Sequence, residues 1–217
     1  MTPLRIGVLR QPPNGATVED PQAVALDEVA GFLAAAGHTL SDVNPDHLRI
    51  EGIDGYRSVV APGWSHLLDY DLTKPAHPSI LARLQAIEGA TVPRFVRAVA
   101  DLRTGVRAVV RRWTTDFDVL LTPLTGCPFP DHGVVLDETT APPDARPVSD
   151  ATRGFDDWVN VNGLPAIGLP THTDSRGVPF GVQLIGGAYS EGLLLRMSAL
   201  LEDHHRWHER RLPEELR

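Results

Sequence analysis

Leu4-Arg5-Ile6-Gly7-Val8-Leu9 alternates apolar residues with Arg5 and Gly7, the period of a β-strand. Gln11 to Gly15 is a Pro/Gly/Asn turn, and Asp20-Pro21 then reads as a helix start. Asp20 can cap free amides, and Pro21 carries the φ angle of a first helical position. Val29, Phe32, Leu33 and Ala36 fall on one helical face, and Gly37 suits the left-handed position that ends a helix. Thr39 to Val43 reads as a second strand. Strand, helix and strand within residues 4–43 predict a parallel pair joined by a right-handed crossover.

Outward from this unit the chain alternates helices and apolar strands. Ser79 is placed to cap a short helix carrying Ile80, Leu84 and Ile87 and ending at Gly89. A longer helix follows from Pro93, with Phe95, Val99, Leu102, Val106, Val109 and Trp113 spaced four and three apart. The opposite face holds Arg94, Arg97, Asp101, Arg103, Arg107 and Arg111, so this is an amphipathic helix lying on a core. Asp118–Thr122 is nearly all apolar, which suits a strand buried on both faces. Ala166–Leu169 and Val178–Ile185 flank a turn at Asp174-Ser175-Arg176-Gly177, and a last helix from Ser190-Glu191 buries Leu194, Met197 and Leu201. The fold class is α/β: a mixed sheet core flanked by helices, in a single domain over residues 1–217. Residues 123–157 form a long proline-rich loop leaving a strand end, where α/β sheets place ligand sites.

Composition narrows the function. Lys+Arg 20 against Asp+Glu 28 gives a net charge of −8, which repels phosphate backbones and argues against nucleic-acid binding. No apolar run reaches membrane-spanning length, and the N-terminus lacks a signal-peptide pattern. The one cysteine, Cys127, cannot form an internal disulfide, which fits a reducing cytoplasm. No metal site or cofactor motif stands out. His204 and His208 are one helical turn apart, but no further ligand completes a site, and they read as a solvated face. His66, His77, Asp69 and Asp71 are similarly dispersed.

Several phrases, in order, carry a family resemblance. Asn160-Val161-Asn162-Gly163-Leu164-Pro165-Ala166 and Gly177-Val178-Pro179-Phe180-Gly181-Val182-Gln183-Leu184-Ile185-Gly186 are similar to the C-terminal block of the amidase signature family. Phe117-Asp118-Val119-Leu120-Leu121-Thr122-Pro123 resembles the family's Y-D-x-L-L-T-P. Ala98 and Arg103, Trp207 and Arg211, and the opening Leu4–Leu9 strand resemble further family stretches, so the likeness spans residues 4–213. The quoted residues build structure: Pro165 and Pro179 fix φ at strand starts, and Gln183 needs hydrogen-bond partners if buried.

The resemblance implies hydrolysis of amides by a Ser–Ser–Lys triad held in a Gly/Ser-rich segment of the family's other half. This sequence has no Gly-Gly-Ser-Ser run. Ser41, Ser58, Ser65 and Ser79 are scattered, and the one lysine, Lys74, lies in Thr73-Lys74-Pro75. A serine without a base is a weak nucleophile, so no catalytic residue is assigned. Met1 falls close to the boundary of the family's catalytic half. The family's sheet draws strands from both halves, so this half is expected to expose edge strands and apolar faces. The expected partner is an N-terminal amidase half or a second copy of the chain, with a small-molecule amide or carboxylate as ligand. The leading expectation is the half of a split amidase that lacks the nucleophile. The alternative is a non-catalytic, degenerate amidase serving as a binding or scaffold protein.

The resemblance also places Thr125, Gly126 and Cys127 beside the acyl-binding pocket, and Trp158 is a further candidate lining residue. Cys127 reads as a pocket residue or as a small side chain in a turn; as a nucleophile it would need a base such as His132 or His172. Asp156 and Asp157 in Phe155-Asp156-Asp157-Trp158 would point to opposite sides on a strand, which argues against paired acid–base work, so they read as helix-capping or solvated carboxylates, and Trp158 is either a pocket wall or a core residue.

Overall fold

The computed structural model describes residues 2–57, 81, 91–131, 133–134 and 147–210. The Ser79–Gly89 helix, Lys74, the serines at 58 and 65, His66, His77, Asp69, Asp71, His132, Arg211 and Pro213 lie outside the described residues.

The opening unit forms as the sequence predicts. Strand β1 (Arg5–Val8) leads through helix α1 (Asp20–Ala35) to β2 (Thr39–Asp42), and β1 and β2 pair in parallel. Gly37 has a φ of 93°, the left-handed stop that its position required. The helix start differs by one residue. Glu19 is the cap, in extended backbone with no side-chain capping bond, and Asp20 lies inside the first turn. There its carboxylate faces the positive end of the helix dipole instead of bonding a free amide. Ala36 follows the helix and is exposed, outside the buried face.

Next come α2 (Val92–Val110), α3 (Arg112–Thr115), β3 (Val119–Pro123), α4 (Pro147–Arg153), α5 (Asp157–Asn162), β4 (Ala166–Thr173), β5 (Pro179–Gly186) and α6 (Glu191–His205). The sheet order is β2-β1-β3-β5-β4. β3 runs parallel to β1, while β5 runs antiparallel to both β3 and β4, so the sheet is mixed.

Strand periodicity sorts the core into two layers. Ile6, Val8, Val119, Leu121, Val182 and Leu184 point to one face and pack beneath Leu26, Val29 and Leu33 of α1 and Leu194, Met197 and Leu201 of α6. Leu9, Leu120 and Ile185 point to the other face and meet Val109, Trp113, Phe117, Phe155 and Trp158. β3 is buried along its whole length, as its near-continuous apolar run demands. Gln183, buried in β5, finds the partners it needs: its Nε2 donates to Phe155 O at 3.2 Å and to Thr122 Oγ1 at 3.5 Å.

Two expectations change. The long amphipathic helix breaks at Arg111, and Trp113 sits on α3, donating its indole N–H to Ile185 O at 3.0 Å. Within α2 only Ala98, Gly105 and Val109 are fully buried, while Phe95 at its start is 46% exposed. The seam lies on the core at its C-terminal end and stands off it at its N-terminal end. The stretch read as a loop over 123–157 contains α4. Pro147 is the first residue of that helix, where proline costs no hydrogen bond, and seven residues are too few to show a helical period.

Among the described residues, β2 and β4 are the sheet edges and pair with a strand on one side each. Val92 and Val96 on α2 and Leu195 on α6 are exposed apolar side chains. No described helix is long and apolar enough to cross a membrane.

Candidate functional site

Thr125, Gly126 and Cys127 follow β3 and are knitted into the scaffold. Gly126 N donates to Ala151 O of α4 at 2.9 Å, and Glu19 N donates to Gly126 O at 2.8 Å. Thr125 Oγ1 donates to Cys127 O at 2.7 Å. Cys127 is buried, with its Sγ 3.6 Å from Thr152 Oγ1. A thiolate nucleophile needs a base within reach, and the polar partner here is a hydroxyl. Both nitrogens of His172 are occupied elsewhere, Nδ1 by Thr171 Oγ1 and Nε2 by Glu28 Oε2, each at 2.8 Å.

Trp158 lies in a different place. It lines a cleft of about 480 Å³ whose walls include Asn14, Arg49, Asp54, Arg57, Arg153 and Asp157. Three stretches far apart in sequence build it. The turn after β1 brings Pro13 and Asn14; Arg49 Nε donates to Pro13 O at 3.0 Å, and Asn14 Nδ2 donates to Asp150 O of α4 at 3.1 Å. Arg57 faces Asp157 across the cleft at 3.9 Å. The junction of α4 and α5 supplies Arg153, Gly154, Asp157 and Trp158. Of the four proposed substrate-binding residues, Trp158 lines this cleft, while Gly126 and Cys127 contact α4 and Thr125 bonds to Cys127.

Asp156 holds the N-cap position of α5 and Asp157 begins the helix, so the helix-start reading gives their position; the Asp156 side chain makes no capping bond. Burial pushes the Asp156 carboxyl above its ordinary range, the neighbouring Asp157 adds to the rise, and Arg153 opposes it. Among the described residues, Asp156 Oδ1, Trp158 Nε1 and Asn162 Oδ1 are buried without hydrogen-bond partners. Asn162 Nδ2 donates to Trp158 O at 2.7 Å.

The described lining holds Arg49, Arg57 and Arg153 against Glu51, Asp54 and Asp157, with apolar Leu48, Ile50, Ile53 and Trp158 between them. Balanced charge around an aromatic wall suits a small polar molecule. The described lining contains no serine, threonine, cysteine, histidine or lysine; Glu51, Asp54 and Asp157 are its groups able to act as acid or base. Among the described residues no group of three His, Cys, Asp or Glu side chains could hold a metal ion. His204 stacks on Phe32, and His208 lies beyond the helix end and pairs with Glu202 at 3.4 Å, so the two do not share a helical face. Sequence reading missed Asn14, Arg49, Asp54 and Arg57, which share no motif and converge through the fold.

The fold and the cleft define the class: a mixed-sheet α/β unit with a polar cleft at the strand ends beside an aromatic wall. The Amidase family model matches residues 1–195, and the chain belongs to the amidase signature family. It is 30% identical over 225 residues to a 6-aminohexanoate-cyclic-dimer hydrolase of Pseudomonas sp. (strain NK87), a match covering 96% of this chain and 45% of that protein. A second 6-aminohexanoate-cyclic-dimer hydrolase, from Paenarthrobacter ureafaciens, is 29% identical over 230 residues, covering 96% of this chain and 45% of that protein. A solved structure of 6-aminohexanoate cyclic dimer hydrolase complexed with substrate superposes with a TM-score of 0.82 at 27% identity, covering 99% of this chain and 48% of that chain. The chain thus spans about half the length of the hydrolase relatives it matches.

Proposed function

We propose that this chain is the half of an amidase that lacks the nucleophile, and that it takes part in carboxamide hydrolysis when a separate polypeptide supplies Ser–Ser–Lys. The observation that carries this reading is the cleft. It offers binding groups and an aromatic wall, yet its described lining lacks any hydroxyl, thiol, imidazole or amine, and its acidic groups are Glu51, Asp54 and Asp157. Family membership over about half a relative's length supports the same division of labour. In this reading Trp158 and the cleft arginines position the carboxamide, and the supplied serine attacks its carbonyl. Among the described residues, the edge β2 and the part of the edge β4 that Arg210 does not cover are where a completing segment, or a second copy of the chain, can extend the sheet. The cyclic dimer of 6-aminohexanoate is the first substrate to try, because the hydrolase relatives carry it in their names.

The same lack of a hydroxyl, thiol or amine in the described lining favours a second reading: a degenerate amidase that binds a small amide or carboxylate without turning it over. Co-purification from the native host separates the two. The first reading predicts a stoichiometric partner with a Gly/Ser-rich segment and an upstream lysine. A chain recovered alone, as a self-associated oligomer that binds carboxamides without hydrolysing them, supports the second.

A further inference from the structure

A histidine cluster lies at the end of α6, apart from the cleft. His205 is the last residue of that helix, its ring 5.5 Å from His172 on β4 and 4.8 Å from His204. Its Nε2 is buried and has no hydrogen-bond partner among the described residues. Around it, Glu28 of α1 holds His172 of β4, and Phe32 of α1 stacks on His204 at the end of α6 with ring centroids 4.0 Å apart. Just past the helix, Arg210 donates to Pro170 O and Thr171 O at 2.6 Å and to His172 O at 3.2 Å, covering carbonyls of the edge strand β4.

We propose that His205 is a pH-sensing latch: as a neutral ring it lets the end of α6 lie against β4 and α1, and as a cation it releases that end. A buried nitrogen with no acceptor cannot carry a proton without either water or movement. The groups facing the ring do not compensate. His172 on β4, His204 on α6 and Arg210 after it all oppose a positive charge, and Glu28 on α1 favours it. Burial is the largest influence, and together they push His205 down from 6.5 to about 4. Once released, the ring regains its ordinary basicity. The closed state therefore has its full advantage above pH 6.5, loses it as the pH falls towards about 4, and has none below, a change of about 300-fold in the opening equilibrium. Release also frees the β4 carbonyls that Arg210 covers.

Hydrogen exchange on the full chain, corrected for the intrinsic pH dependence, tests this. Opening at residues 200–206 should increase about 40-fold between pH 6.5 and pH 4.5 while β3 stays protected, and His205→Phe should flatten that slope. Opening at the helix end that merely tracks β3, or a His205→Phe chain that keeps the wild-type slope, would overturn the latch. A nitrogen-detected titration of the wild-type ring gives a second reading that needs no variant. A ring still neutral at pH 5 supports the proposal, and a ring titrating near 6.5 refutes it.

Discussion

Phe155→Ala should lower the unfolding free energy by about 3–5 kcal/mol, as large-to-small changes at aromatic core positions do. Phe155 is completely buried between α4 and α5, in the layer that holds Trp113, Phe117 and Trp158. Its carbonyl also accepts the side-chain bond from Gln183, so a collapse of this junction leaves a buried amide on β5 with a weakened partner. The loss would reach the cleft, because Gly154, Asp157 and Trp158 flank Phe155 in sequence and line its wall. Denaturant unfolding followed by tryptophan fluorescence measures the change. A loss below about 1 kcal/mol would mean that the second layer is not packed as described.

The second large effect is expected at Gly126, where the loop after β3 meets α4. A Cβ built there stands 2.7 Å from Thr17 O and 3.0 Å from Ala151 O, both of them backbone atoms that cannot rotate aside. Relief requires moving the segments that the Gly126 amide and carbonyl hold, so Gly126→Ala should destabilise by about 1–3 kcal/mol. Gly31 is a contrasting case, because a Cβ there meets nothing within 4 Å on the helix α1. Gly31→Ala should stabilise by about 0.5–1 kcal/mol through helix propensity alone. Opposite signs from the same chemical change, read by thermal or denaturant unfolding, check both environments. A Gly126→Ala chain as stable as the parent would show that this loop is not locked against α4.

The two-layer sheet could be read from the sequence because its signals are local. Period-two alternation in Leu4–Leu9, the unbroken apolar run of β3, and Gly37 at a left-handed stop each depend on neighbours a few residues away. The ending of α2 was harder. Its apolar spacing runs on from Val109 to Trp113, but Arg111 breaks the helix and the Trp113 indole is claimed by the Ile185 carbonyl. α4 was hidden because a short helix completes too few turns to display a period, and α5 showed only in the acidic pair at its start. The cleft was hidden for a different reason. Asn14, Arg49 and Asp157 come together through tertiary contacts, such as the Arg49 bond to Pro13 O, which leave no trace in residue spacing. Trp158 was reached from sequence through its place before the Asn160–Ala166 motif.

If this chain supplies a binding wall and sheet edges while another segment supplies the nucleophile, activity must appear only when the two are combined. The most direct measurement mixes the purified chain with the Ser–Ser–Lys polypeptide recovered alongside it, and follows carboxylate release from a panel of carboxamides that includes aminohexanoate amides. A split amidase predicts turnover by the mixture, none by either component alone, and loss of turnover when the supplied nucleophilic serine is changed to alanine. Equal hydrolysis by the isolated chain, or a stable complex that hydrolyses no carboxamide, would contradict it.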